Sequence, residues 1–177
     1  PPDRLRFAPT TRVPALPRPR SCQGTRRARR WGCHYLARSW CEREIENHGL
    51  SARMAQANTI VTERGGTLRG VHFQTPPHEE AKLVRCLRGK IYDVCVDLRP
   101  ESPTYRQWHA VHLKAGDERM FYVPEGCGHG FQSLTDDTEI QYQTSAVYAP
   151  SYATGVRFDD PAFDIFRQPT RIGPRSK

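Results

Sequence analysis

No stretch of this 177-residue chain approaches the roughly 18 consecutive apolar residues of a membrane-spanning helix, and the N-terminal region lacks the continuous apolar segment of a secretory signal. None of the six cysteines (Cys22, Cys33, Cys41, Cys86, Cys95, Cys127) stands in a Cys-x-x-Cys pair or another zinc-finger spacing. Without a secretory signal they read as reduced thiols, and the expected location is cytoplasmic. There is no internal repeat and barely one helix. There is also no His-x-His pair, because Gln74 stands two residues after His72. Acidic residues are scarce at both ends: residues 1–30 hold nine arginines against Asp3 alone, and residues 166–177 hold none.

That asymmetry explains the net charge of +8. It belongs to residues 1–30, while the rest of the chain carries 18 basic and 18 acidic side chains and is neutral. The basic segment is also rich in proline and poor in residues that could build a core, which is the composition of an extended arm. Such an arm binds phosphates without specificity, so nucleic acid is not an expected partner of the folded part. The chain divides into an Arg/Pro-rich tail (1–35), one domain (36–165) and a polar C-terminal tail (166–177). A domain of that size buries a core unaided.

What the domain does have is a succession of short strand-like runs bounded by Gly, Pro or Asp: Asn58–Thr62, Thr67–Gln74, Ala81–Leu87, Lys90–Leu98, Gln107–Leu113, Arg119–Val123, His129–Leu134, Glu139–Thr144 and Gly155–Phe158. In the clearest of them Ile91, Asp93, Cys95 and Asp97 share one face, and Tyr92, Val94, Val96 and Leu98 the other. Arg88-Gly89 reads as a tight hairpin connection. The segment Trp40–Gly49 reads as a short helix ended by Gly49. Many short strands and one short helix predict an all-β protein, a jelly-roll barrel able to hold a ligand between its sheets.

The chemistry-bearing residues cluster in a few strands. Gly66-Thr67-Leu68-Arg69-Gly70-Val71-His72-Phe73-Gln74 carries a histidine that titrates near neutrality. Strict alternation puts Arg69 on the opposite face from His72, unless a bulge near Gly70 re-aims one of them. Lys82 shares a face with Val84, and Tyr142 with Ile140 and Thr144. In Pro124-Glu125-Gly126-Cys127-Gly128-His129-Gly130-Phe131, three glycines and a proline around one histidine form a turn suited to aiming His129. Two readings follow. A base with a fixed cation nearby suits proton abstraction next to a carbonyl. Alternatively Pro124-x-Gly126-x-x-His129 matches a half-motif of metal-binding jelly rolls, with His72, Gln74, Glu79 and His129 as conceivable ligands.

The motifs Gln56-Ala57-Asn58, Leu68-Arg69-Gly70-Val71-His72-Phe73-Gln74, Ala81-Lys82-Leu83-Val84-Arg85, Val96-Asp97-Leu98-Arg99, Val123-Pro124-Glu125-Gly126, His129-Gly130-Phe131, Tyr148-Ala149-Pro150 and Asp159-Asp160-Pro161-Ala162 occur in order over residues 56–165. This stretch resembles the dTDP-4-dehydrorhamnose 3,5-epimerase family. The resemblance implies a cupin-type jelly roll, a homodimer, no metal and no cofactor. The implied activity is epimerisation at carbon-3, carbon-5 or both of a nucleoside-diphosphate 4-keto-6-deoxyhexose. It also implies roles: His72 as base, Lys82 beside the 4-keto oxygen and Tyr142 as the acid on the opposite face. Gln56, Asn58, Arg69 and His129 are implied as substrate-binding residues. The resemblance fades at both ends. Residues 1–35 do not fit, Ala153 stands where the family has a glutamate, and residues 166–177 supply no acid for the histidine base. The alternatives are a sugar-nucleotide-binding cupin without catalysis and, behind it, a metal-dependent cupin enzyme.

Overall fold

Strand periodicity in the sequence becomes two facing antiparallel sheets in the computed structural model, which describes residues 39–117, 119–163 and 165. The tails 1–35 and 166–177 lie outside the described residues. A five-residue helix, α1 (Glu42–Glu46), precedes nine strands. They are β1 (Gln56–Thr62), β2 (Leu68–Gln74), β3 (Lys82–Arg88), β4 (Lys90–Asp97), β5 (Trp108–Lys114), β6 (Phe121–Val123), β7 (Cys127–Ser133), β8 (Thr138–Thr144) and β9 (Ala153–Gly155). One sheet has the order β1-β8-β3-β6 and the other β5-β4-β7-β2-β9. The expected jelly roll is therefore the observed fold.

The alternation in β4 sorts the core. Ile91 and Cys95 point between the sheets and pack with Val84, Cys86, Leu113, Phe121, Val123, Cys127, Phe131 and Ile140. Tyr92, Val94 and Val96 point outward and are covered by Trp108, Val156, Phe163 and Ile165. Outside the four-stranded sheet, Leu83, Ala81 and Tyr122 receive Ile45 of α1 with Trp40 and Leu50. Each sheet thus buries both faces over much of its width, and each fully buried aliphatic side chain contributes about 1.5–3 kcal/mol.

Two local expectations need correction. Arg88-Gly89 is not a hairpin: β3 and β4 belong to different sheets, so the chain turns a corner between layers there. Gly89 permits it at φ +77°, where a Cβ would sit 2.5 Å from the Thr135 hydroxyl and 2.7 Å from that of Thr138. The last strand occupies 153–155 instead of 155–158, because β9 pairs with the end of β2, Gly155 opposite His72. Beyond it, Val156 leaves the ladder to cover the outer face.

At the end of β4 the carboxylate of Asp97 is fully buried. Burial alone would raise its pKa, but hydrogen bonds from Arg99, Ser102 and Thr104 overcome that and hold it well below the usual carboxylate range. This network anchors the 98–107 connection to the barrel.

Candidate active site

The site begins with an irregularity in β2. Arg69 lies opposite Phe131 of β7 and His72 lies opposite His129, so three residues of β2 span two of β7. Cross-strand partners in an antiparallel pair face the same way. Phe131 belongs to the inter-sheet core, so Arg69 and His72 both face inward. This corrects the strict alternation that set them apart. The bulge rests on Gly70, whose φ is +102°. Its α-carbon lies so close to β7 that a Cβ would stand 2.5 Å from Gly130 Cα and 2.6 Å from the His129 carbonyl oxygen.

The opposite wall is the four-stranded sheet. Gln56 and Asn58 of β1 lie opposite Thr144 and Tyr142 of β8, and those two lie opposite Lys82 and Val84 of β3. Val84 is in the inter-sheet core, so Gln56, Asn58, Lys82 and Tyr142 all share its inward face. Lys82 crosses the gap, its Nζ donating to the backbone oxygen of His72 at 3.4 Å. The same Nζ pairs with Glu80 Oε1 at 3.0 Å, and both side chains are about nine-tenths buried.

Next to His72 on β7, His129 is buried and its Nε2–H donates to Asp93 Oδ1 at 2.7 Å. Asp93 is fully buried, and its second oxygen has no hydrogen-bond partner among the described residues. This bond leaves Nδ1 as the nitrogen of His129 available to a ligand. Gln74 ties down the rim: its Oε1 accepts from Ala149 N at 2.6 Å and its Nε2 donates to His78 O at 2.8 Å. Gln56 Oε1 likewise accepts from Tyr148 N at 2.5 Å. Arg69 Nε donates to the hydroxyl of Thr62 at 3.3 Å.

The electrostatics divide the walls. The pKa of His72 lies below the ordinary imidazole value, first because the surrounding walls limit its hydration and then because Lys82 and His129 oppose a second positive charge. Tyr142 is shifted upward, first by burial and then by the Glu80 carboxylate. The mouth thus presents a neutral imidazole on one sheet, a protonated phenol on the other and an ammonium bridging the gap. The conceivable metal ligands do not converge: Gln74 is spent on backbone groups and the Nε2 of His129 on Asp93. Among the described residues no group of three His, Cys, Asp or Glu side chains is arranged to hold a metal ion.

A family model described as dTDP-4-dehydrorhamnose 3,5-epimerase matches residues 31–172. The chain belongs to this family. It is 40% identical over 131 residues to dTDP-4-dehydrorhamnose 3,5-epimerase of Methanothermobacter thermautotrophicus, covering 74% of this chain and 70% of that one. It is 42% identical over 124 residues to dTDP-4-dehydrorhamnose 3-epimerase of Streptomyces niveus, covering 70% of this chain and 59% of that one. Among solved structures, a dTDP-6-deoxy-D-glucose-3,5-epimerase from Legionella pneumophila in complex with dTDP-4-keto-L-rhamnose superposes with a TM-score of 0.75 at 30% identity. That match covers 86% of this chain and 78% of the other. The epimerase family thus accounts for the fold as well as the sequence motifs.

Two residues of the candidate site escaped the sequence reading. Alternation placed Asp93 on one face of β4 with Ile91 and Cys95, yet its pairing with His129 depends on the β4–β7 register. Glu80 precedes β3 by two residues. The signal available was its period-2 spacing from Lys82, which suggests a shared face. The carboxylate that would orient His72 is not found: no described side chain hydrogen-bonds its ring.

Proposed function

We propose that this protein epimerises a nucleoside-diphosphate 4-keto-6-deoxyhexose in deoxysugar biosynthesis, at carbon-3, carbon-5 or both, without a metal. The proposal includes roles. A neutral His72 takes the proton from the carbon next to the 4-ketone. The electron pair moves onto the ketone oxygen, and the resulting enolate is stabilised by the Lys82 ammonium. Tyr142 returns a proton to the same carbon from the opposite face, which inverts it. The nucleotide-sugar is held by Gln56, Asn58, Arg69 and the Nδ1 edge of His129. The observation that carries this reading is that His72 and Tyr142 come from opposite sheets, with Lys82 reaching from one to the other. The family's relatives include both a 3,5-epimerase and a 3-epimerase, so both carbons belong in the reading.

The homodimer is part of the same proposal, supported by β1, which has one strand neighbour among the described residues. A cytoplasmic setting suits the free thiols of Cys86, Cys95 and Cys127 in the core. Among the described residues no helix is long and apolar enough to cross a membrane.

The deciding experiment is incubation with dTDP-4-keto-6-deoxyglucose in deuterated buffer. Deuterium is expected at carbon-3, carbon-5 or both, together with the inverted sugar. A folded protein that binds the nucleotide-sugar without exchange would establish the non-catalytic reading, which is favoured by the absence of a described carboxylate on His72.

The acidic limb of the pH profile gives a second check. Protonated His72 cannot act as base, so kcat/KM is expected to fall as pH drops through its lowered pKa, with a midpoint below 6.5. Lys82→Met removes a positive neighbour and is expected to move that midpoint upward, alongside its loss of rate. A midpoint above 6.5 in the unsubstituted protein would remove His72 as the titrating base.

A further inference from the structure

Lys82 is a charged side chain with two partners, and only one of them belongs to the chemistry proposed above. The other is Glu80, which precedes β3 and turns back toward the mouth. Its Oε1 stands 3.0 Å from Lys82 Nζ, in a pair whose side chains are 10% and 9% exposed. The negative charge of Glu80 also adds, after burial, to holding the proton on the Tyr142 phenol. It therefore touches the proposed enolate stabiliser and opposes ionisation of the proposed acid, while lying on neither wall's strand.

An ammonium on a four-carbon stem is a mobile point charge. Fixing it where negative charge develops requires a second contact, because the His72 carbonyl at 3.4 Å is a weak tether. A carboxylate supplies that contact with a charge-assisted hydrogen bond. It also neutralises the ammonium in the resting enzyme, which would otherwise be a buried charge lacking a counter-ion.

We propose that Glu80 is a positioning residue of this reaction: its carboxylate fixes the Lys82 ammonium across the barrel mouth. The proposal rests on the epimerase reading for its kinetic consequences, but the Glu80–Lys82 pair has a readout of its own. The groups that set the local charge are few. His72 faces Lys82 of β3 and His129 of β7, His129 is paired with Asp93 of β4, and the charge of Glu80 acts on Tyr142 of β8.

The test compares Glu80→Gln and Glu80→Asp with the unsubstituted protein. Glutamine keeps the shape and removes the charge. Its kcat is expected to fall about tenfold with KM changed by less than about threefold, because a fixed electrostatic contact acts in the transition state more than in binding. The alkaline limb of kcat is expected to move to lower pH, since Tyr142 loses the carboxylate that opposes its ionisation. In the free protein, histidine-resolved NMR titration is expected to show the His72 midpoint moving down, because Lys82 loses its counter-charge. Aspartate keeps the charge and is expected to restore the alkaline limb. A purely structural role would lower stability and leave both titrations in place. If the unsubstituted enzyme is active and Glu80→Gln changes neither limb, kcat nor the His72 midpoint, the proposal is overturned while the epimerase reading stands. If the unsubstituted protein shows no exchange yet Glu80→Gln still moves the His72 midpoint, the epimerase reading falls and the electrostatic coupling stands. Should Glu80→Gln not fold, Glu80→Ser takes its place: an alkaline limb and a His72 midpoint both moved to lower pH support the role of charge, and both left unchanged overturn it.

Discussion

His72→Ala is expected to abolish deuterium incorporation next to the sugar ketone, lowering it by about 10³-fold, with the protein still folded and still binding a dTDP ligand. General-base catalysis by a positioned side chain is worth about 10²–10⁴-fold, and in the proposed roles His72 alone takes the proton. His129, with Nε2 bonded to Asp93 at 2.7 Å and Nδ1 assigned to holding the substrate, is the imidazole whose takeover this measurement would reveal. The side chain of His72 lies at an exposed position of β2, so removing it leaves no core cavity. Thermal or urea unfolding should therefore be changed by less than about 1 kcal/mol, the ordinary range for a surface substitution. Measurement by proton NMR in deuterated buffer separates the two effects. If the variant retains more than about a tenth of the exchange rate, another group is the base.

Gly70→Ala is expected to produce the largest change in stability, about 3 kcal/mol or more by urea unfolding, and to lower exchange activity in whatever protein remains folded. Two independent costs add. The backbone at φ +102° is one that a side chain disfavours, at roughly 1–3 kcal/mol. The new methyl would also press on the backbone of β7, at 2.5 Å from Gly130 Cα and 2.6 Å from the His129 oxygen, and backbone atoms in a sheet have little room to retreat. Relief requires β2 and β7 to separate or the bulge to be lost. Losing the bulge would turn either Arg69 or His72 away from the ligand. Gly116→Ala is an informative control: it shares a positive φ of 78° with no atom within 4 Å of the added methyl. A Gly70→Ala variant no less stable than Gly116→Ala would show that close approach to β7 is not what the position requires.

These two positions also mark where sequence reasoning worked and where it ran out. The alternation of Ile91 to Leu98 sorted the two faces correctly, because β4 is a central strand with regular partners on both sides. Likewise Tyr142, Ile140 and Thr144 share the face their spacing predicts. Strict alternation would put Arg69 on the wrong face, because period-2 counting fails at a bulge; the bulge at Gly70, which the sequence left open, brings it to the face of His72. Arg88-Gly89 looked like a hairpin because short turns between strand-like runs usually are. Only the pairing of β3 with β8 and of β4 with β7 reveals a layer change. The Asp93–His129 pair was invisible for a related reason: it depends on the β4–β7 register and leaves no local pattern around both members, whereas Glu80 and Lys82 carried only a shared-face spacing that does not show a pair.

The strand pairing has a consequence for how this molecule comes into being. Gln56 finds its partner in Thr144, and Leu68 finds its partner in Gln132. Lys82 is placed between Val123 and Thr144. Each pairing closes a long loop before any contact offsets the lost chain entropy, and such topologies fold on the order of milliseconds to seconds. In a nascent chain emerging from the ribosome, β2 and β3 can meet β7 and β6 first, but β1 has no partner until β8 has been made. Until then β1 waits unpaired, and β3 is paired on one side only. The wall that carries Gln56, Asn58 and Tyr142 is thus completed only when β1 meets β8, and the interval before β8 arrives is when this protein most needs protection from aggregation.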